Sequence, residues 1–104
     1  MLERDIERWF VDELRKAGFL CFKFVSPANP GVPDRLVICP DGAIMFVELK
    51  TKKGKLSKQQ QVCIRQLTER HVKVYLVKGM GDARYFAEHL VRYHGMGGAE
   101  RGQV

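Results

Sequence analysis

The sequence predicts an α/β domain, a mixed four-stranded sheet flanked by helices in the order α-βββ-α-β-α. Two observations carry that expectation. Three runs rich in branched and aromatic residues crowd between residues 19 and 50, and a fourth stands apart at 72–78. Apolar residues recur at helical spacing before the first run, between the third and fourth, and after the fourth.

Residues 3–17 form the first helix. Ile6, Phe10, Leu14 and Ala17 recur at helical spacing, and Gly18 supplies the C′ stop. "FLCFKFV", Phe19 to Val25, is the first strand. "SPANPGVP" is a Pro- and Gly-rich loop that lets a ligand approach the backbone. A hairpin follows at about 34–39 and 43–50. Ser57 is a good N-cap for a second helix reaching about Arg70. "VKVYLVK" is a strand from Val72 to Lys78, and Asp82 caps a last helix to about Tyr93. The folded domain is expected over 1–93, with 94–104 a disordered tail.

At 104 residues this is one domain, with no apolar run near the ~18 residues of a membrane span. "MLERDIERWF" is amphipathic and acidic from residue 3, so it does not read as a signal peptide. Cys21, Cys39 and Cys63 stand in unrelated contexts, with no CxxC pair, and read as reduced core residues of a cytoplasmic protein. His71, His89 and His94 lack zinc-binding spacing, which disfavours a histidine-metal nuclease. The formal charge of +6 favours a polyanionic partner, nucleic acid first. The densest basic run is "KTKKGKLSK", Lys50 to Lys58. Lys52, Lys53 and Lys55 are its phosphate-contact candidates, with Lys23 and Ser26 weaker ones.

The hairpin concentrates the chemistry. Cys39-Pro40-Asp41-Gly42 fits a type I turn, and a three-residue loop pairs Ile38 with Ile44, Leu36 with Phe46, and Asp34 with Glu48. A two-residue loop would pair Arg35 with Glu48 instead. In the first register Lys50 follows on the face of Glu48. Facing carboxylates repel unless one holds a proton or a cation lies between them. An oxygen-only pair suits Mg²⁺, and Lys50 could orient a water or stabilise charge on a phosphate. Such a site fits metal-assisted phosphodiester hydrolysis.

Pro33-Asp34, a thirteen-residue gap and Glu48-Leu49-Lys50 resemble the PD-(D/E)xK nuclease signature. "GVPDR", "FVELK" and "LSKQQ" in that order make residues 2–90 resemble the VRR-Nuc family of replication and repair nucleases. The resemblance implies the same element order and a metal-dependent DNA endonuclease. It implies Mg²⁺ or Mn²⁺ held by Asp34, Glu48 and the Leu49 backbone carbonyl, with no small-molecule cofactor. It also raises Glu7 as a first-helix acid, with Glu3 one turn earlier as runner-up. Gln60 belongs to a Ser57-x-x-Gln60 capping box, and the resemblance places it in the active site too. Stand-alone members resemble Holliday junction resolvases, which implies a homodimer acting on branched DNA. Trp9 and Val11 are candidate interface residues. The rival readings are a non-catalytic nucleic-acid-binding module on the same fold and a less selective nicking or restriction-type nuclease.

Overall fold

The computed structural model describes residues 1–95, and its elements follow the expected order. They are α1 (Glu3–Lys16), β1 (Leu20–Lys23), β2 (Arg35–Ile38), β3 (Ile44–Lys50), α2 (Lys58–Glu69), β4 (Val74–Lys78) and α3 (Gly79–His94). His94 is therefore helical, and the rest of the expected tail, beyond Gly95, lies outside the described residues.

α1 carries Glu3 and Asp5 in its first turn and Arg15 and Lys16 in its last, each sign matching the helix dipole. It stops where expected. Gly18 turns left-handed at φ 88°, and the Phe19 N–H donates to the Leu14 carbonyl at 3.0 Å. α3 begins at Gly79, ahead of the expected Asp82 cap. Asp82 instead reaches back from inside the first turn, and its carboxylate accepts from the Lys78 N–H at 3.1 Å.

The four strands lie side by side in chain order, β1-β2-β3-β4. β1, β2 and β3 are antiparallel neighbours, while β4 runs parallel to β3 after the α2 crossover. α1 and α3 pack on each other and on one face of the sheet. That face supplies Cys21, Val37, Met45, Val47, Leu49 and Val77 to the core, against Ile6, Phe10 and Leu14 of α1 and Ala83, Ala87 and Leu90 of α3. Phe10 also stacks on Phe86 of α3 with centroids 6.1 Å apart.

The opposite face carries Leu20, Phe22, Leu36, Ile38, Ile44, Phe46, Glu48 and Lys50 by the alternation of the strands. α2 lies over part of it, and no residue of α2 is fully buried. The hairpin strip expected from the sequence is thus real, but the main core lies on the other side. Val11 joins that core, and Trp9 packs against it with the Arg84 guanidinium 5.7 Å from its ring centroid. The candidate interface pair thus takes the core alternative that a lone Trp also allows.

Candidate active site

The hairpin turn sets the register. The Gly42 N–H donates to the Cys39 carbonyl at 2.9 Å, the Cys39 N–H donates to the Ala43 carbonyl at 2.8 Å, and Gly42 sits at φ 92°. This closes a three-residue loop with a left-handed third residue. Ile38 then pairs with Ile44, Leu36 with Phe46, and Arg35 with Val47. One step further brings Asp34 to Glu48, and the Asp34 N–H donates to Glu48 Oε1 at 3.3 Å.

Among the described residues, Glu48 is the one charged side chain that is buried, at 1% exposure. Burial pushes its carboxyl above the usual range. The Asp34 charge pushes the same way, Lys50 and the Asp34 N–H oppose, and Glu3 adds a smaller upward push. Lys50 Nζ stands 3.7 Å from Glu48 Oε2. Gln60 Nε2 donates to the same oxygen at 3.2 Å.

Gln60 forms the expected capping box as well as reaching Glu48. Its Oε1 accepts from the Ser57 N–H at 2.8 Å, and its own N–H donates to Ser57 Oγ at 3.1 Å. The capping box therefore locks the side chain whose amide touches Glu48. The first turn of α2 is pressed in turn by Gly31, at φ 90°. A Cβ there would overlap the backbone of Gln59 and Gln60. Sequence reasoning passed over Gly31. Its only signal was a glycine two residues before Pro33 in a loop that must approach a helix end.

The first-helix acids divide. Glu7 Oε2 stands 3.4 Å from Arg35 Nε, and Arg35 projects to the α1 side of the sheet, away from Glu48. Glu3, exposed at the start of α1, contributes only the smallest of the influences on Glu48. Lys23 pairs in register with Arg35, so it too points to the α1 side, and it is exposed. Ser26 lines a groove of about 580 Å³ between the 26–32 loop and α2, together with Phe24, Val32, Val62 and Leu67. Lys52, Lys53 and Lys55 are exposed in the β3–α2 connection, next in the chain to Lys50. Leu49 buries its side chain in the core, between Glu48 and Lys50.

Asp34, Glu48, Lys50 and Gln60 thus meet at one end of the β2–β3 hairpin. A buried carboxyl beside a second one, pushed above its ordinary value by burial and by the neighbouring charge, is an oxygen donor pair whose ionised form a divalent cation would favour. The residues present fit Mg²⁺ or Mn²⁺.

Comparison with known proteins agrees with this geometry. The profile of the VRR-NUC domain family matches residues 3–81. A solved structure described as "VRR_NUC domain" superposes with a TM-score of 0.74 at 25% identity, covering 88% of this chain and 96% of that one. "Putative nuclease p44" of Acyrthosiphon pisum secondary endosymbiont phage 1 is 56% identical over 48 residues, 46% of this chain. That match spans 52%, about half, of the relative's length.

Proposed function

The chain belongs to the VRR-NUC domain family, and from that premise we propose that it is a metal-dependent DNA endonuclease. The observation that carries this reading is the buried Glu48, held against Asp34 with Lys50 and Gln60 on its second oxygen. A module that only binds nucleic acid has no use for a buried carboxylate facing another. Asp34, Glu48 and the Leu49 carbonyl would hold Mg²⁺ or Mn²⁺. A bound divalent cation would act as a Lewis acid on the phosphate and make water a nucleophile near neutral pH.

The chain's own residues do the rest. Lys50 orients the attacking water and offsets negative charge growing on the phosphate. Gln60 keeps Glu48 turned toward Asp34. Glu3, rather than Glu7, extends the acidic shell from α1. Lys52, Lys53 and Lys55 hold the backbone of the substrate without reading its sequence. The active form is a homodimer on branched DNA, in the cytoplasm where its three free thiols stay reduced.

The test is cleavage of labelled duplex, single strand, flap and four-way junction by the purified protein with Mg²⁺, Mn²⁺ or EDTA. Asp34→Asn and Glu48→Gln should each abolish cleavage, while DNA binding survives or tightens. Activity retained by both variants at saturating Mg²⁺ rules the metal pair out.

A further inference from the structure

At the far end of the hairpin, a second cluster has no part in the nuclease reading. Cys39 follows β2, Asp41 sits in the turn, and His94 is the last residue of α3. The Cys39 sulfur, an Asp41 carboxylate oxygen and a His94 ring nitrogen all lie within 4.8 Å of one another. His94 Nδ1 and Asp41 Oδ2 are 2.7 Å apart. Asp41 Oδ1 accepts from the Ala43 N–H at 3.0 Å, which fixes the carboxylate on the turn. Cys39 is fixed by the same turn through its two backbone hydrogen bonds with Ala43 and Gly42.

The three donors differ in kind from those at Asp34 and Glu48. One is sulfur, one imidazole nitrogen and one carboxylate oxygen, the mixture that suits zinc and its neighbours and does not suit Mg²⁺. A Cys-His-Asp arrangement also invites a nucleophilic reading. That reading fails on two counts. Cys39 is only 3% exposed, so no substrate reaches it. Burial, with the Asp41 charge, pushes its thiol up to about 11, where a free thiolate is scarce.

We propose that Cys39, Asp41 and His94 form a site for one Zn²⁺-class ion, with water in the fourth position. Tetrahedral zinc sets its ligands about 2.0–2.3 Å from the metal, so small side-chain rotations close the cluster around it. Binding releases the Cys39 proton to solvent and leaves a Zn–thiolate bond. The ion replaces the His94–Asp41 hydrogen bond and ties the C-terminal end of α3 to the hairpin turn, 53 residues apart in sequence. It stabilises the folded chain by mass action. The site stands roughly 17 Å from Asp34, five residues along β2 at strand rise.

The experiment is optical titration of chelator-stripped, full-length protein with Co²⁺, a spectroscopic stand-in for Zn²⁺. We expect about one equivalent to produce tetrahedral d–d bands and a thiolate-to-cobalt charge-transfer band. Zn²⁺ should bleach both and raise Tm. Cys39→Ser should remove the charge-transfer band. Because Cys39 is packed in the core, His94→Asn and Asp41→Asn provide the second arm. With unchanged circular dichroism, each should weaken Co²⁺ binding at least about tenfold. Glu48→Gln should leave the band intact, so this outcome does not depend on the nuclease site. The proposal is overturned if no charge-transfer band forms at stoichiometric Co²⁺. It is equally overturned if the band persists at unchanged affinity in folded His94→Asn, or if it survives Cys39→Ser and so belongs to Cys21 or Cys63.

Discussion

Glu48 concentrates the conflict between stability and activity in a single side chain. Its carboxyl is raised chiefly by burial, so the folded state binds a proton more readily than the unfolded chain does. Stability without metal therefore falls as pH rises from the ordinary carboxylate value to the raised one, and stays low above it. Glu48→Gln removes that dependence. The variant should melt higher than the parent at neutral pH in EDTA, by roughly a few degrees for a domain of this size. The gap should close as pH falls below the raised value, and calorimetry across pH measures it. Lys50 makes a different forecast. Lys50→Ala should slow single-turnover cleavage on the order of 10²-fold with little change in binding. Lys52, Lys53 and Lys55 to Ala should instead weaken binding and flatten its salt dependence by about one unit of slope per lost contact. If Lys50→Ala only weakens binding, it is a phosphate clamp. The hairpin pair was legible because a three-residue loop and a period of two place Asp34 against Glu48, and the continuous apolar strip favours that register over the two-residue alternative. The first-helix acid was not. Glu3 and Glu7 lie one turn apart, and their placement depends on how α1 crosses the sheet, which sets Glu7 against Arg35.

At the scale of elements, α2 is held by its first turn more than by its body. It buries no side chain fully, yet its capping box and the Gly31 contact fix Gln60 against Glu48. Gly31→Ala should be costly twice over. The left-handed backbone alone costs an alanine roughly 1–2 kcal/mol, and the added Cβ overlaps the Gln59 backbone. Cleavage should therefore fall further than the loss of Tm accounts for, since the displaced turn carries Gln60. Ser57→Ala, which only removes a cap, should cost about 1 kcal/mol. A Gly31→Ala protein that cleaves no worse than a core variant of matched Tm would show that the turn does not position Gln60. Elements this local are also the readable ones. Gly18 and Ser57 end and begin helices through bonds to their own neighbours, so their positions follow from sequence. The start of α3 does not. Gly79 and Gly81 look like loop, but Gly79 lies against Lys52 at the helix start, and Asp82 reaches back to the Lys78 N–H. Which face of the hairpin became core was also beyond sequence, because both faces are apolar. The choice was made by two helices, α1 and α3, landing on the Val37, Met45 and Val47 side.

On the scale of the whole molecule, that choice leaves the other face short of cover. One helix, α2, lies where two cover the opposite side, and Leu20, Phe22, Ile44 and Leu76 remain 51%, 49%, 56% and 41% exposed. They share one face by register, with Leu20 and Ile44 both in line with Ile38. The proposed dimer contact would use this face, since Val11 is buried in the core and Trp9 packs against it. A two-fold contact buries the same patch on both copies, and a stable interface needs about 800 Å² from each. Leu20 and Ile44 lie toward the turn end of the hairpin, whereas Leu76 pairs with Glu48, so a contact through Leu20 and Ile44 would keep both Asp34/Glu48 ends clear for DNA. Two sites at a fixed separation are what paired incisions at a junction require, and the described residues hold one such site. Ile44→Lys and Leu20→Glu should each turn a dimer into a monomer by light scattering at micromolar concentration. Their Tm should lose any dependence on protein concentration. Each monomer should keep its carboxylates and still nick duplex, but lose paired cleavage of four-way junctions. A parent protein that is already monomeric and cuts linear duplex as readily as a junction would end the dimer proposal and leave the nuclease assignment untouched.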